Sequence, residues 1–127
     1  MRIFVIGGTR FIGPAVVTRL AALGHKLTVF HRGQNEAVLP PEVVHIHGDR
    51  QRLAEYADHL RRSKPDVVLD MAAMTEADAQ VVVAAVRGVA RRAVVVSSQD
   101  VYRAYGRFHD EPGPPRADAL RRGRAAT

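Results

Sequence analysis

Cysteine is absent from the 127 residues. That excludes disulfides, thiol catalysis and cysteine-ligated metal, and it fits a cytoplasmic setting. No apolar run is long enough for a membrane span, and Met1-Arg2-Ile3 does not open a signal-peptide pattern. Lysine is nearly absent as well: only Lys26 and Lys64 occur, so arginine carries most of a formal net charge of +6. The arginines are dispersed, which reads as a solvated surface rather than a nucleic-acid face. Only the tail concentrates them, as Arg116, Arg121, Arg122 and Arg124 with Asp118 among them. No internal repeat is visible, and no metal-ligand set is assigned.

What remains is an ordinary globular composition, 46% hydrophobic and 25% charged, enough for one domain with a real core. Arg2–Ile6 has the Val/Ile character of a buried parallel strand. The next apolar stretch, residues 11–23, reads as a helix with Pro14 in its first turn and Gly24 ending it. Further strands are expected at 26–30, 43–46, 66–70 and 93–97, with helices at 52–62 and 76–86 between them. Residues 33–42, with Pro40 and Pro41, read as a surface loop. Strands alternating with helices predict an α/β fold: a Rossmann-like, doubly wound parallel sheet in the order 3-2-1-4-5. The domain is expected to span 1–112, with 113–127 a poorly ordered Pro/Gly/Arg-rich tail.

Ligands of such sheets bind beyond the carboxyl ends of the strands, so those ends hold the candidate residues. After the first strand come Gly7, Gly8, Thr9, Arg10, Phe11, Ile12 and Gly13, a glycine turn opening a helix. Backbone N–H groups and the positive helix end make that turn a diphosphate cradle. Arg10 stands where the middle glycine of the fingerprint would fall, and its guanidinium is a candidate phosphate contact. After the second strand, Phe30, His31 and Arg32 include no acid to hold ribose hydroxyls. Arg32 is either a solvated loop residue or a partner for a 2′-phosphate; the expected cofactor is NAD(P), with NADP favoured on this ground.

Asp49 and Arg50, after the third strand, are placed for adenine contact, with a helix cap by Asp49 equally open. Met71, Ala72 and Ala73 follow the fourth strand and are small enough for a cofactor to lie close, or simply packed. Ser97, Ser98 and Asp100 follow the fifth, where a hydroxyl would face the nicotinamide side, or form a serine-rich turn.

Gly7-Gly8-Thr9-Arg10-Phe11-Ile12-Gly13, His47-Gly48-Asp49-Arg50, Met71-Ala72-Ala73 and Ser97-Ser98-Gln99-Asp100-Val101-Tyr102 occur in that order. Together they resemble the NAD-dependent epimerase/dehydratase family of the extended short-chain dehydrogenase/reductase superfamily, over residues 1 to about 112. The resemblance implies NAD(P) binding and hydride transfer on a nucleotide-linked sugar. It implies that Ser98 hydrogen-bonds the reacting oxygen, and that Asp100 lies near an acidic catalytic position. The arginine in the turn also resembles a subgroup with chloroplast stem-loop RNA-binding proteins, so an RNA-binding or regulatory use of the fold is the alternative.

The family's Tyr-x-x-x-Lys pair has no match: Tyr102 and Tyr105 are followed four residues on by Gly106 and His109. A positioned acid/base is worth about 10²–10⁴ in rate, so no turnover is expected from this chain alone. The sugar-binding portion is likewise expected to be missing, leaving a truncated cofactor-binding part. Its sheet edge near residues 94–96 is then expected to be exposed and open to self-association.

Overall fold

In the computed structural model, residues 1–34 and 37–97 are described. The β-branched run at the start of the chain forms β1, Arg2–Ile6. It is followed by α1 (Gly13–Ala22), β2 (Lys26–His31), β3 (Val44–His47), a 3-10 helix (Arg50–Tyr56), α2 (Ala57–Ser63), β4 (Val67–Asp70), α3 (Glu76–Val86) and β5 (Arg92–Val95). The five strands lie in the order β3-β2-β1-β4-β5, every pair parallel, as expected from the alternation of elements. Sheet and helices form one compact unit, Met1–Val96.

Successive strand residues face opposite sides, and the core divides accordingly. Phe4, Ile6, Phe30 and Val68 meet Leu53, Leu60 and Val82 beneath the 3-10 helix, α2 and α3. Ile3, Val5, Leu27, Val29 and Val43 meet Val17 of α1 on the other face. Burying each such side chain contributes about 1.5–3 kcal/mol, so the two clusters fix the register of the sheet. Register sets the site: Ile6 stands level with Phe30 on one side and Asp70 on the other.

Gly24 ends α1 as the sequence indicates. At φ +83° its N–H donates to the Ala21 carbonyl, and His25 N–H donates to that of Leu20, a paired closure that a left-handed residue makes possible. The second helix differs from expectation. The stretch opens as a 3-10 helix, Arg52 departs from helical backbone (φ −108°, ψ 22°), and a regular helix begins only at Ala57. At its start the Arg50 side chain is hydrogen-bonded to Asp70 of β4. Among the described residues β5 is an outer strand, with Val94, Val95 and Val96 on or beside it at 42%, 49% and 37% exposure. The expected domain boundary at 112 lies outside the described residues. Among the described residues no helix is long and apolar enough to cross a membrane.

Candidate functional site

The glycine turn is built by close approach. Gly7 and Gly8 both have positive φ, +87° and +92°, a conformation side chains resist. Gly7 N–H donates to the Phe30 carbonyl and Met71 N–H to that of Ile6, which carries the sheet ladder past the strands into the turn. A Cβ on Gly7 would stand 3.2 Å from the Cβ of Ala72, so the turn and the segment after β4 touch. A Cβ on Gly13 would lie 2.5–2.7 Å from the backbone of Gly8. The first residue of α1 therefore sits directly on the turn, which only glycine allows.

The mouth of α1 is open. Its N-cap is Ile12, which makes no side-chain capping bond, and Pro14 stands in the first turn. Gly13 N–H donates to the Arg10 carbonyl, tightening the loop, while the Arg10 side chain is exposed. Thr9 is half-buried. Phe11 is 97% exposed at φ +52°, a left-handed conformation held by a non-glycine residue. Such outliers concentrate at ligand sites, where the surrounding structure imposes them.

Arg32 and Asp49 stand exposed beyond β2 and β3. The Asp49 carboxylate accepts a hydrogen bond from Gln51 N–H at 2.8 Å, so it caps the 3-10 helix. Arg50 turns inward. Its two terminal nitrogens donate to the two carboxylate oxygens of Asp70 at 2.8 and 2.9 Å, and one also donates to the Asp78 carbonyl at 3.1 Å. The hydrogen bond to Asp70 raises the Arg50 pKa above its ordinary value, outweighing burial. Asp70 also accepts from Ala72 N–H at 2.9 Å and so shapes the half-buried segment Met71, Ala72 and Ala73.

Asp78 completes this underside. It accepts from the N–H groups of Met74 and Thr75 and from Gln51 Nε2, while Thr75 Oγ1 accepts from Asp78 N–H in a reciprocal cap of α3. These donors, the Met74 N–H foremost, hold its carboxyl at a pKa of about 2. Ser97 is exposed; Ser98 and Asp100 lie outside the described residues.

Sequence reasoning missed two features. The first is Asp70, read only as the end of a small apolar segment; an acid closing the buried strand β4 was the signal for a buried cationic partner. The second is a histidine cluster. His31 Nε2 and His45 Nδ1 are 2.9 Å apart, and the His31 and His47 ring centroids 4.7 Å. A cavity of about 410 Å³ lies at the opposite end of the sheet, lined by Arg2, Lys26 and Val44 at the amino ends of β1, β2 and β3. Ligands of open parallel sheets enter from the carboxyl ends, so this cavity is not the candidate site.

Residues 3–97 match the NAD dependent epimerase/dehydratase family. Over 98 residues the chain is 38% identical to 2′-dehydrokanamycin reductase of Streptomyces kanamyceticus, covering 77% of this chain and 28% of that protein. Its fold resembles a UDP-galactose 4-epimerase crystal structure at 26% identity and TM-score 0.68, over 81% of this chain and 40% of that one. It also resembles the Bordetella bronchiseptica enzyme WbmG in complex with NAD, at 20% identity and TM-score 0.65, over 75% and 36%. The chain thus spans well under half the length of these relatives. The glycine turn, the strand order and the match over residues 3–97 agree: the chain belongs to the NAD dependent epimerase/dehydratase family.

Proposed function

We propose that this chain is the dinucleotide-binding part of a protein that performs hydride transfer on a sugar carbon. The observation that carries the reading is the mouth of α1: a helix whose N-cap makes no side-chain bond, seated on the Gly7–Gly8 turn through Gly13. Gly13 N–H is used by the Arg10 carbonyl and Pro14 has none, so a diphosphate would draw on the helix dipole and on the remaining N–H groups of the turn before it. In this reading Gly7, Thr9, Arg10, Phe11, Ile12 and Gly13 surround the diphosphate. Asp49 faces the adenine, and Met71, Ala72, Ala73 and Ser97 line the cofactor's path. Arg50 acts indirectly, by holding Asp70 and through it the backbone at Ala72.

Arg32, exposed beyond β2, favours NADP by pairing with a 2′-phosphate. By the resemblance to the family, Ser98 would hydrogen-bond the reacting oxygen and Asp100 would fall near an acidic catalytic position. Turnover requires residues this chain does not supply, because its sequence offers no Tyr-x-x-x-Lys pair. The substrate is a nucleotide-linked sugar, as the names of the epimerase relatives suggest. The 38% identity to 2′-dehydrokanamycin reductase favours a second reading, reduction of a dehydro-sugar within an aminoglycoside. The exposed edge of β5 is a surface for self-association, which light scattering at rising concentration detects.

Thermal melting with NADP, with NAD and without either tests the reading. A ligand that binds only the folded state raises the midpoint, by about 2.7 kcal/mol of stability at one hundred times its Kd. NADP is expected to give the larger rise, and Arg32→Ala to remove the difference between the two. No rise with either cofactor contradicts the reading, and salt-sensitive RNA binding in its place would favour the RNA-binding alternative.

A further inference from the structure

Three histidines converge where β2 and β3 end. In the parallel register His31 stands opposite His47, and His45 lies two residues before His47 on the same strand. Residues two apart in a strand point to one face, so all three imidazoles project on the α1 side of the sheet. One ring nitrogen from each lies within 4.8 Å of the others. His31 is buried, whereas His45 and His47 are exposed on an outer strand. The rings are nearly perpendicular, at 79° for His31 with His45 and 84° for His31 with His47, and His31 Nε2 meets His45 Nδ1 at 2.9 Å.

We propose that His31, His45 and His47 form a binding site for a divalent transition metal ion, independent of the dinucleotide reading. Nitrogens bound to zinc at about 2.0–2.1 Å in tetrahedral geometry stand about 3.3–3.4 Å apart. The 2.9 Å pair is slightly closer than that, and the 4.8 Å limit wider. Metal binding would require the rings of His45 and His47, both exposed, to make up that difference. Three imidazoles with neither thiolate nor carboxylate in the cluster suit Zn²⁺, Ni²⁺ or Cu²⁺ rather than Mg²⁺ or Ca²⁺. Three protein ligands also leave a coordination position open to water.

Hydrogen bonds fix what binding must change. Gly33 N–H donates to His31 Nδ1 at 3.1 Å, so that nitrogen carries a lone pair and the His31 proton sits on Nε2, shared with His45 Nδ1. A metal held by His31 Nε2 displaces that proton, which moves to Nδ1. Nδ1 then donates, and Gly33 N–H must turn away. Gly33, at φ +76°, is a turn glycine packed against the cluster: a Cβ there would stand 3.5 Å from the His47 ring. The metal site therefore reports on the turn after β2 through one amide.

The test is calorimetric titration of the full chain, free of any affinity tag, with Zn²⁺, followed by amide NMR. The expected result is saturable one-to-one binding, weakened at least about tenfold by His45→Ala or His47→Ala, since loss of even an outer partner costs that much. Both residues are exposed, so the variants should fold, and an unchanged melting midpoint without metal verifies it. His59→Ala should leave affinity unchanged, and the Gly33 amide should shift on addition of Zn²⁺. The amino terminus and His25 Nδ1, 3.2 Å apart, are a rival chelate. Loss of binding in His25→Ala, its persistence in the His45→Ala/His47→Ala double variant, or no binding at all would overturn the proposal.

Discussion

Arg50 grips Asp70 through two parallel hydrogen bonds of 2.8 and 2.9 Å, with Asp70 only 1% exposed at the end of β4. A buried carboxylate needs its partner more than the pair needs to exist. Removing one member leaves an uncompensated charge, at a cost of about 3–5 kcal/mol, whereas replacing both with apolar residues is often far milder. Arg50→Met should therefore destabilise the chain by about that amount, and Arg50→Met with Asp70→Leu by clearly less. Urea unfolding of the three proteins checks both expectations.

Asp78 gives the fold a specific acid limb. Its pKa falls from 3.8 to about 2 because N–H donors at the start of α3 hold the ionised form. The folded state thus binds a proton less readily than the unfolded chain. The stabilisation is complete above the ordinary carboxylate value and is lost as pH falls from about 4 toward 2. Asp78→Asn should lower stability at neutral pH and flatten its dependence on pH in that window. Equal slopes for the two proteins would show the carboxylate is not held as described.

Gly13 tests the architecture of the turn. Its Cβ would stand 2.5 Å from the carbonyl carbon of Gly8, which is backbone and cannot swing aside. Gly13→Ala should cost about 1–3 kcal/mol by overpacking. It should weaken dinucleotide binding more than its effect on stability alone would, because the mouth of α1 is forced off the turn. Denaturation midpoints and cofactor titration on the same samples separate the two effects.

Phe11 should behave in the opposite sense. A non-glycine residue in the left-handed region carries about 1–2 kcal/mol of strain. Phe11→Gly should relieve it, raising stability by about 1 kcal/mol after the entropy gained by the unfolded chain is subtracted. The ring is almost wholly exposed, so little packing is lost. Thermal melting decides the sign.

These residues also show where the sequence was readable. The apolar runs of β1, β2 and β4, Pro14 and Gly24 each act through local chemistry, so the strand order and the bounds of α1 followed within two residues. The glycine turn was readable for the same reason. The 3-10 start of the second helix was not, because Arg50 answers to Asp70, twenty residues away. Asp78 takes Gln51 and Arg50 from another element as partners, which its place in the first turn of a helix does not reveal. The histidine cluster needs the β2–β3 register, which no local pattern encodes. Gly48 is fixed by packing that the local sequence does not reveal: a Cβ there would stand 2.5 Å from the Tyr56 ring and 2.7 Å from that of Phe30.

Amide NMR of the chain titrated with NADP decides whether the mouth of α1 holds a dinucleotide diphosphate. Saturable shifts are expected, largest at Gly7, Gly8 and residues 10–13 and abolished by Gly13→Ala. Shifts confined to other parts of the chain, or none at millimolar cofactor, would contradict binding there.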